Sequence, residues 1–242
     1  MIQQYVNTTG TAKATQEVVL SSEMAGTYKR LNNPATGRPY KLGDRVRAGQ
    51  VIIRLEDEEY VNNIALSSRK LNLEISEQEY EKQKSLYEKG GVTLRELRNA
   101  EVTATNARYD YENAQLGLSK MDIIAPFTGV IVDLPFYTPG TRVNSGSQMV
   151  SLMSYENMFL EINLPEKSIS EVALGQNVII TSHTLPDDTL KGVVSELSPA
   201  ISTETRTFKG KITIDNREMK LRPGMFVKAD IVTAQKDSAV VV

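Results

Sequence analysis

The sequence predicts an α+β fold that is mostly β: an elongated, multi-domain chain in which a flattened β unit is split by an antiparallel coiled-coil helical hairpin, with a small antiparallel β-barrel beyond it. Three observations predict it. Residues 57–120 hold no proline, and their only glycines are Gly90, Gly91 and Gly117, so this stretch alone reads as long helix. A G-[DT]-R-V-x-x-G motif lies on each side of it, at Gly43–Gly49 and again at Gly140–Gly146. After Tyr155, short apolar runs alternate with turn signals at the spacing of a small antiparallel barrel.

Residues 1–20 alternate weakly, at Tyr5 and then Val18-Val19-Leu20, and read as two short strands. From Ser21 the text becomes glycine-punctuated β structure: Gly26-Thr27-Tyr28, then Gly43 through Ile52. The same grammar returns at Gly129-Val130-Ile131-Val132 and Gly140 through Val150, which makes the motif an internal repeat. The first copy has the longer link, 17 residues from Gly26 to Gly43 against 11 from Gly129 to Gly140, and the excess is the loop Asn32–Gly37. Glycine supplies the positive φ that such turns need. The two halves are expected to pair into one β unit with the hairpin inserted between them.

Within residues 57–120 the first arm is expected to present Val61, Ile64, Ser68, Leu71, Ile75, Gln78, Lys82 and Leu86 at steps of three and four. The second arm presents Leu94, Leu97, Ala100, Ala104, Ala107, Tyr111, Ala114 and Leu118. Each is a narrow a/d stripe, the seam of a two-stranded coiled coil. Gly90-Gly91 can end the first helix in a left-handed cap, and Thr93 with Glu96 forms a capping box that starts the second. Arms of about 30 residues reach roughly 45 Å at 1.5 Å per residue. Lys70 with Glu74 and Arg108 with Glu112 are expected as solvated i,i+4 pairs.

In the last third, strands are expected over 158–164, 176–182, 192–196, 208–214 and 226–232, with a short helix from Pro165 to a stop at Gly175. A further strand starts within Asp237–Val242. The organisation is then a hairpin at 57–120, a β unit from 21–56 and 121–153, a barrel from 9–20 and 154–234, and remnants of another domain at 1–8 and 235–242.

Composition excludes several functions. The net charge of −2 and pI near 5.7 argue against a nucleic-acid binder, which would carry a basic patch. There are no cysteines, so neither disulfides nor thiolate metal sites can form. No run of 18 apolar residues occurs to span a bilayer. The start, Met1-Ile2-Gln3-Gln4, lacks the basic and apolar regions of a signal peptide, so the chain is expected to be cytosolic or to have lost a signal. The single histidine, His183, sits in a loop, and Asp187-Asp188 beside Pro186 reads as a turn. None of the common nucleotide, zinc-protease or redox motifs is present. No enzyme, no cofactor and no metal site is expected.

Two lipoyl/biotinyl-like half-motifs around a coiled-coil hairpin, followed by a β-barrel, resemble the periplasmic adaptors, or membrane fusion proteins, of tripartite RND-type efflux pumps. Ile123 through Ile131 resembles the family's strand entering the second lipoyl half. Leu164 through Ile169 with Leu174 through Val178 resembles its barrel helix and following strand. Thr205-Arg206-Thr207 and Leu221 through Val227 resemble the late barrel signatures of adaptors for RND-type transporters.

The resemblance implies a bridge from an inner-membrane transporter to a TolC-type outer-membrane channel, supporting export of drugs or other small molecules. It implies assembly as a ring, and a periplasmic location with an inner-membrane anchor outside this sequence. The remnants at the chain ends would belong to the family's membrane-proximal domain. At the hairpin tip the family's channel-docking pattern of arginine, leucine and serine falls on Lys82, Leu86 and Thr93. Two of the three depart from the pattern, which bears on which channel is recognised. An N-cap alone would account for Thr93, and a last seam position for Leu86.

Three other readings remain open. A biotin or lipoate carrier would need a modifiable lysine in the turn that the hairpin replaces, and no Met-Lys-Met or Asp-Lys-Ala occurs. An adaptor of an ABC-type exporter would share the hairpin and the lipoyl parts. A metal-efflux adaptor would tend to cluster methionine or histidine, whereas the eight methionines here are scattered.

Overall fold

The computed structural model describes residues 2–236, and the strand expected within Asp237–Val242 lies outside the described residues. The chain divides into two compact units, Val19–Ser151 and Met1–Val18 with Leu152–Val242.

In the first unit the repeat is a pair of interlocked halves. The strands are β1 (Ile2–Ser21, entering from the other unit), β2 (Gly26–Arg30), β3 (Arg45–Val46) and β4 (Val51–Glu56), then β5 (Asp122–Ile124), β6 (Gly129–Asp133) and β7 (Arg142–Val143). Each half's motif pairs with the other half's strand. Gly43 donates its N–H to the Ile131 carbonyl at 2.9 Å, and Gly140 donates to Tyr28 at 3.1 Å. Val46 stands opposite Gly129, and Val143 opposite Gly26. At the motif's far end Gly49 donates to Ala125 at 2.8 Å and Gly146 to Ser22 at 2.7 Å. Gly43 and Gly140 hold φ of +85° and +90°, which a side chain would strain. The halves enclose Tyr28, Val46, Ile52, Ile53, Leu55, Ile131, Val143, Met149 and Val150, all buried.

The hairpin rises between β4 and β5 as three helices, α1 (Glu58–Ile64), α2 (Leu66–Glu88) and α3 (Leu94–Ser119). The first arm is therefore not one helix: it breaks at Ala65, which holds φ 46° and ψ 48°. The second arm matches its expected seam except at Leu94, which is exposed: Ala104, Ala107 and Ala114 are buried and Leu97, Ala100, Tyr111 and Leu118 partly so. The first arm does not. Leu71 and Ile75 are each 57% exposed, and the inward residues are Leu73, Ser76, Tyr80 and Gln83. Across from the alanines of α3 the most buried residue of α2 is the small Ser76.

The second unit adds β8 (Gln148–Pro165), β9 (Asn177–Ser182), β10 (Leu185–Ser202), β11 (Thr207–Asp215) and β12 (Phe226–Lys236). Neighbours run β1-β12-β9-β10-β11-β8, and β1 also pairs with β8, so the order returns to its start. Because β1 and β8 each run on through a unit boundary, the sheet is not a free-standing cylinder. Its inner face buries Met158, Leu160, Ile162 and Leu164 from β8 against Val178, Ile180, Phe208, Ile212, Ile214, Val227 and Ile231. The alternation is visible in β11, where Phe208, Gly210, Ile212 and Ile214 are buried in turn.

Three local expectations are corrected here. In place of two short strands within residues 1–20 there is one long strand, Ile2–Ser21, paired over Ile2–Thr11 with β12. Glycine allows it at position 10, where a Cβ would sit 2.6 Å from Leu160 Cδ1. The helix expected after Pro165 is a 3-10 turn over Glu166–Ser168 followed by turns to Gly175, whose φ is +84°. Asp187 and Asp188 lie within β10, and the turn is at His183-Thr184 instead.

Candidate functional site: the hairpin tip

The turn that joins α2 to α3 is built entirely from local signals. Gly90, at φ +73°, donates its N–H to the Tyr87 carbonyl at 2.9 Å, and Gly91 donates to Leu86 at 2.8 Å. This is a Schellman closure, and it occupies carbonyls that the helix end would otherwise leave unpaired. Two residues on, Thr93 is in extended conformation and its hydroxyl oxygen accepts the Glu96 N–H at 3.3 Å. The Glu96 carboxylate in return accepts the Thr93 N–H at 2.7 Å and the Thr93 hydroxyl at 2.8 Å. Both halves of the expected capping box are present. The Thr93 backbone and hydroxyl hydrogen bonds hold the Glu96 carboxyl below the usual carboxylate range.

The expected docking residues fall on this turn and the helix leading into it. Leu86 is on the last turn of α2, half-buried at 36% exposure, with its carbonyl committed to the closure. Thr93 is the N-cap. Lys82 is one turn below Leu86, exposed, and paired with Glu79 at 3.2 Å. Glu79 also accepts from Gln83 at 2.7 Å, and those two hydrogen bonds lower its carboxyl. Two apolar side chains beside these were not anticipated as tip residues: Tyr87 and Leu94 are both exposed there. Leu94 had been assigned to the seam, and an aromatic three residues before Gly90 was the signal for Tyr87.

Away from the tip, the expected Lys70–Glu74 pair is present at 3.8 Å. Arg108 does not pair along its own helix with Glu112. It crosses to Glu77 of α2 at 2.6 Å. At the root, Arg54 grips Asp122 with two hydrogen bonds, of 2.6 and 2.9 Å, exactly where the chain enters and leaves the hairpin. Among the described residues no group of three or more histidine, aspartate or glutamate side chains could hold a metal. No described helix is long and apolar enough to cross a membrane.

The comparisons with known proteins bear on this architecture. Residues 157–235 match the family model described as the CusB-like β-barrel domain. Across 98% of its length the chain is 24% identical to the cobalt-zinc-cadmium resistance protein CzcB of Cupriavidus metallidurans, covering 49% of that protein. The toluene efflux pump periplasmic linker protein TtgD of Pseudomonas putida is 24% identical over 85% of this chain and 57% of its own. The chain is thus similar, over nearly its whole length, to proteins of metal-resistance and efflux systems, and its C-terminal third to the CusB-like β-barrel domain. It spans about half the length of the curated relatives it matches. Its fold is that of a MacA–MexA chimera carrying the Pseudomonas aeruginosa MexA α-hairpin domain, with a TM-score of 0.70, 21% identity, and coverage of 96% of this chain and 82% of that one. The mostly-β fold with a helical hairpin is thus the adaptor fold.

Proposed function

We propose that this chain is the central part of a periplasmic adaptor that bridges an inner-membrane transporter of RND type to a TolC-type outer-membrane channel, and that it acts without catalysis or a bound cofactor. The observation that carries the reading is the tip. A two-helix rod with an apolar surface at its end, closed by a Schellman turn and reopened by a capping box, presents Leu86, Tyr87 and Leu94 on a rigid support. Such a tip fits the grooves between channel helices. The relatives named for efflux and as periplasmic linkers support the same reading, as does the CusB-like barrel. The protein would be anchored at the inner membrane by a segment outside this sequence.

Ring assembly is supported by the outer faces of the hairpin. Val102, Tyr109 and Leu116 recur every seven residues on the side of α3 away from the seam, each more than half exposed. Leu71 and Ile75, four residues apart, are likewise more than half exposed on the far side of α2. Two apolar stripes that look away from each other suit a heterologous, head-to-tail contact, and such contacts generate rings when they close.

One experiment tests the bridge. These 242 residues hold no cysteine, so Tyr87→Cys places the one thiol of this segment at the tip. Cross-linking of the full-length protein in its host should capture an outer-membrane channel through that thiol, and co-purification should recover a transporter. Recovery of neither overturns the proposal.

The names of CzcB and the CusB-like model favour a second reading of the cargo, a divalent or soft metal ion in place of an organic compound. Cells lacking the adaptor distinguish them: sensitivity to cobalt, zinc or cadmium alone marks a metal pump, and sensitivity to organic compounds alone marks a drug pump.

A further inference from the structure

In the second unit β10 does not follow β11 evenly. Leu197 stands opposite Gly210 and Ile201 opposite Phe208, so Ser198, Pro199 and Ala200 all face the single residue Lys209. Pro199 has no N–H with which to rejoin the ladder. Ser198 spends its hydroxyl on the arch itself, donating to the Ala200 carbonyl at 3.3 Å and accepting the Ala200 N–H at 3.2 Å. Extra residues in one strand lift it off its partner. Here they border a recess of about 620 Å³ on the outer face, between the arch, the start of β11 and Asn163 of β8. A second recess of about 480 Å³ shares Asn163, Ser198 and Lys209 with it, so the two run on as one groove. These volumes suit a small ligand.

The charges along the groove are unevenly matched. Lys13 holds Glu161 at 2.6 Å, and Lys211 holds Glu196 at 3.0 Å while lying over the Phe159 ring. Lys209 is on the same face of β11, and among the described residues its ammonium makes neither a hydrogen bond nor an ion pair. Asn163 is its cross-strand neighbour, and the side-chain amide is free in the same sense. Thr205 and Thr207 share one hydrogen bond between their hydroxyls at 2.8 Å, which leaves one of the two O–H groups to be donated elsewhere. Ala200 and Ile201 form an apolar wall beside these donors, and no described carboxylate lines the larger recess.

We propose that this recess binds a small organic anion, a carboxylate on an apolar body, with the carboxylate on Lys209 and Asn163 and the body against Ala200 and Ile201. One unmatched ammonium calls for one negative charge, and a hydrogen bond to a charged partner is among the stronger kinds. The amide and the spare hydroxyl supply donors for the second oxygen. Burial of the apolar body adds what an inorganic anion would lack. An organic cation would meet the Lys209 ammonium and be repelled. The recess is larger than one acidic side chain fills, which favours a free molecule over a residue of a partner protein. The site stands on the sheet alone and does not rest on what the hairpin tip meets.

Equilibrium dialysis of the full-length protein against radiolabelled octanoate, kept below its micelle-forming concentration, tests the site. Octanoate should bind saturably and slow amide exchange within residues 196–210, where it ties the arch to β11. Octyltrimethylammonium should do neither. Lys209→Gln should weaken octanoate binding about tenfold or more, and Lys209→Arg should restore most of it. Lys209 is exposed on the outer face, so both variants should keep the melting midpoint of the parent. Absence of binding overturns the proposal, as does binding that Lys209→Gln leaves unchanged or that slows no exchange within 196–210. Acetate or octyltrimethylammonium bound as tightly as octanoate would overturn it too.

Discussion

The Gly91 N–H and the Leu86 carbonyl meet at 2.8 Å, so the backbone of Leu86 closes α2 while its side chain remains partly open to solvent. The two roles of this leucine are therefore separable. Leu86→Asp keeps the backbone bond and should leave the thermal midpoint nearly where it was. If the side chain inserts into a channel groove, each copy loses about 1.5–3 kcal/mol, and a ring multiplies that loss through effective concentration. Efflux-dependent resistance should then disappear. Full resistance with an unchanged midpoint would remove Leu86 from the docking surface.

Thr93 distinguishes capping from docking by a different pair of variants. Thr93→Ala should weaken the start of α3 by about 1 kcal/mol, and Thr93→Ser should keep most of that stability. Amide exchange at the first turn of α3 reads both. Equal exchange in the two variants would mean that the hydroxyl does not cap.

The same box predicts a pH response. Because its hydrogen bonds hold the Glu96 carboxyl below its ordinary value, its contribution is complete above that value and is lost as pH falls through the depressed one. Fraying at the tip should therefore appear only on acidification below about pH 4.5, the ordinary value for this group. Glu96→Gln should fray to a similar extent at neutral pH and show a flatter profile. A profile in Glu96→Gln identical to that of the parent would assign the response elsewhere.

Arg108 and Glu77 join the two helices midway, on an exposed face. Exchanging them, Arg108→Glu with Glu77→Arg, should restore most of whatever either single change costs. The coupling should shrink at high salt, as exposed pairs do. Melting curves of the four proteins at two salt concentrations measure it, and strictly additive changes would dismiss the pair.

Gly192 in β10 offers a stability test in the other unit. An added Cβ there would meet Ile180 Cδ1 at 2.8 Å, Ile212 Cγ2 at 2.9 Å and the Thr213 carbonyl at 2.9 Å. Gly192→Ala should cost about 1–3 kcal/mol by overpacking, read as an earlier denaturant midpoint. No shift would mean the sheet yields at that point.

Much of this molecule was determined by the sequence alone, wherever the physics is local. The paired Gly43–Gly49 and Gly140–Gly146 motifs announced two equivalent halves, because positive φ is a property of single residues. Gly90-Gly91 and Thr93–Glu96 announced the tip, because a cap is completed within a few residues. The α3 seam was legible because only one alanine-rich stripe runs along that helix. Tertiary structure decided the rest. Along α2 two candidate stripes compete, Leu71 with Ile75 and Leu73 with Ser76 and Tyr80, and hydropathy favours the first. The facing alanine helix packs against the second, with Ser76 buried at its centre, and leaves Leu71 and Ile75 outside. Arg108 chose Glu77 over Glu112 for a similar reason, since the facing helix placed a carboxylate within reach. At Ala65 helix propensity was overruled outright, because the close approach of Tyr60 and Ile64 to Gly117 and the Asp57–Arg142 contact belong to residues that only folding brings together.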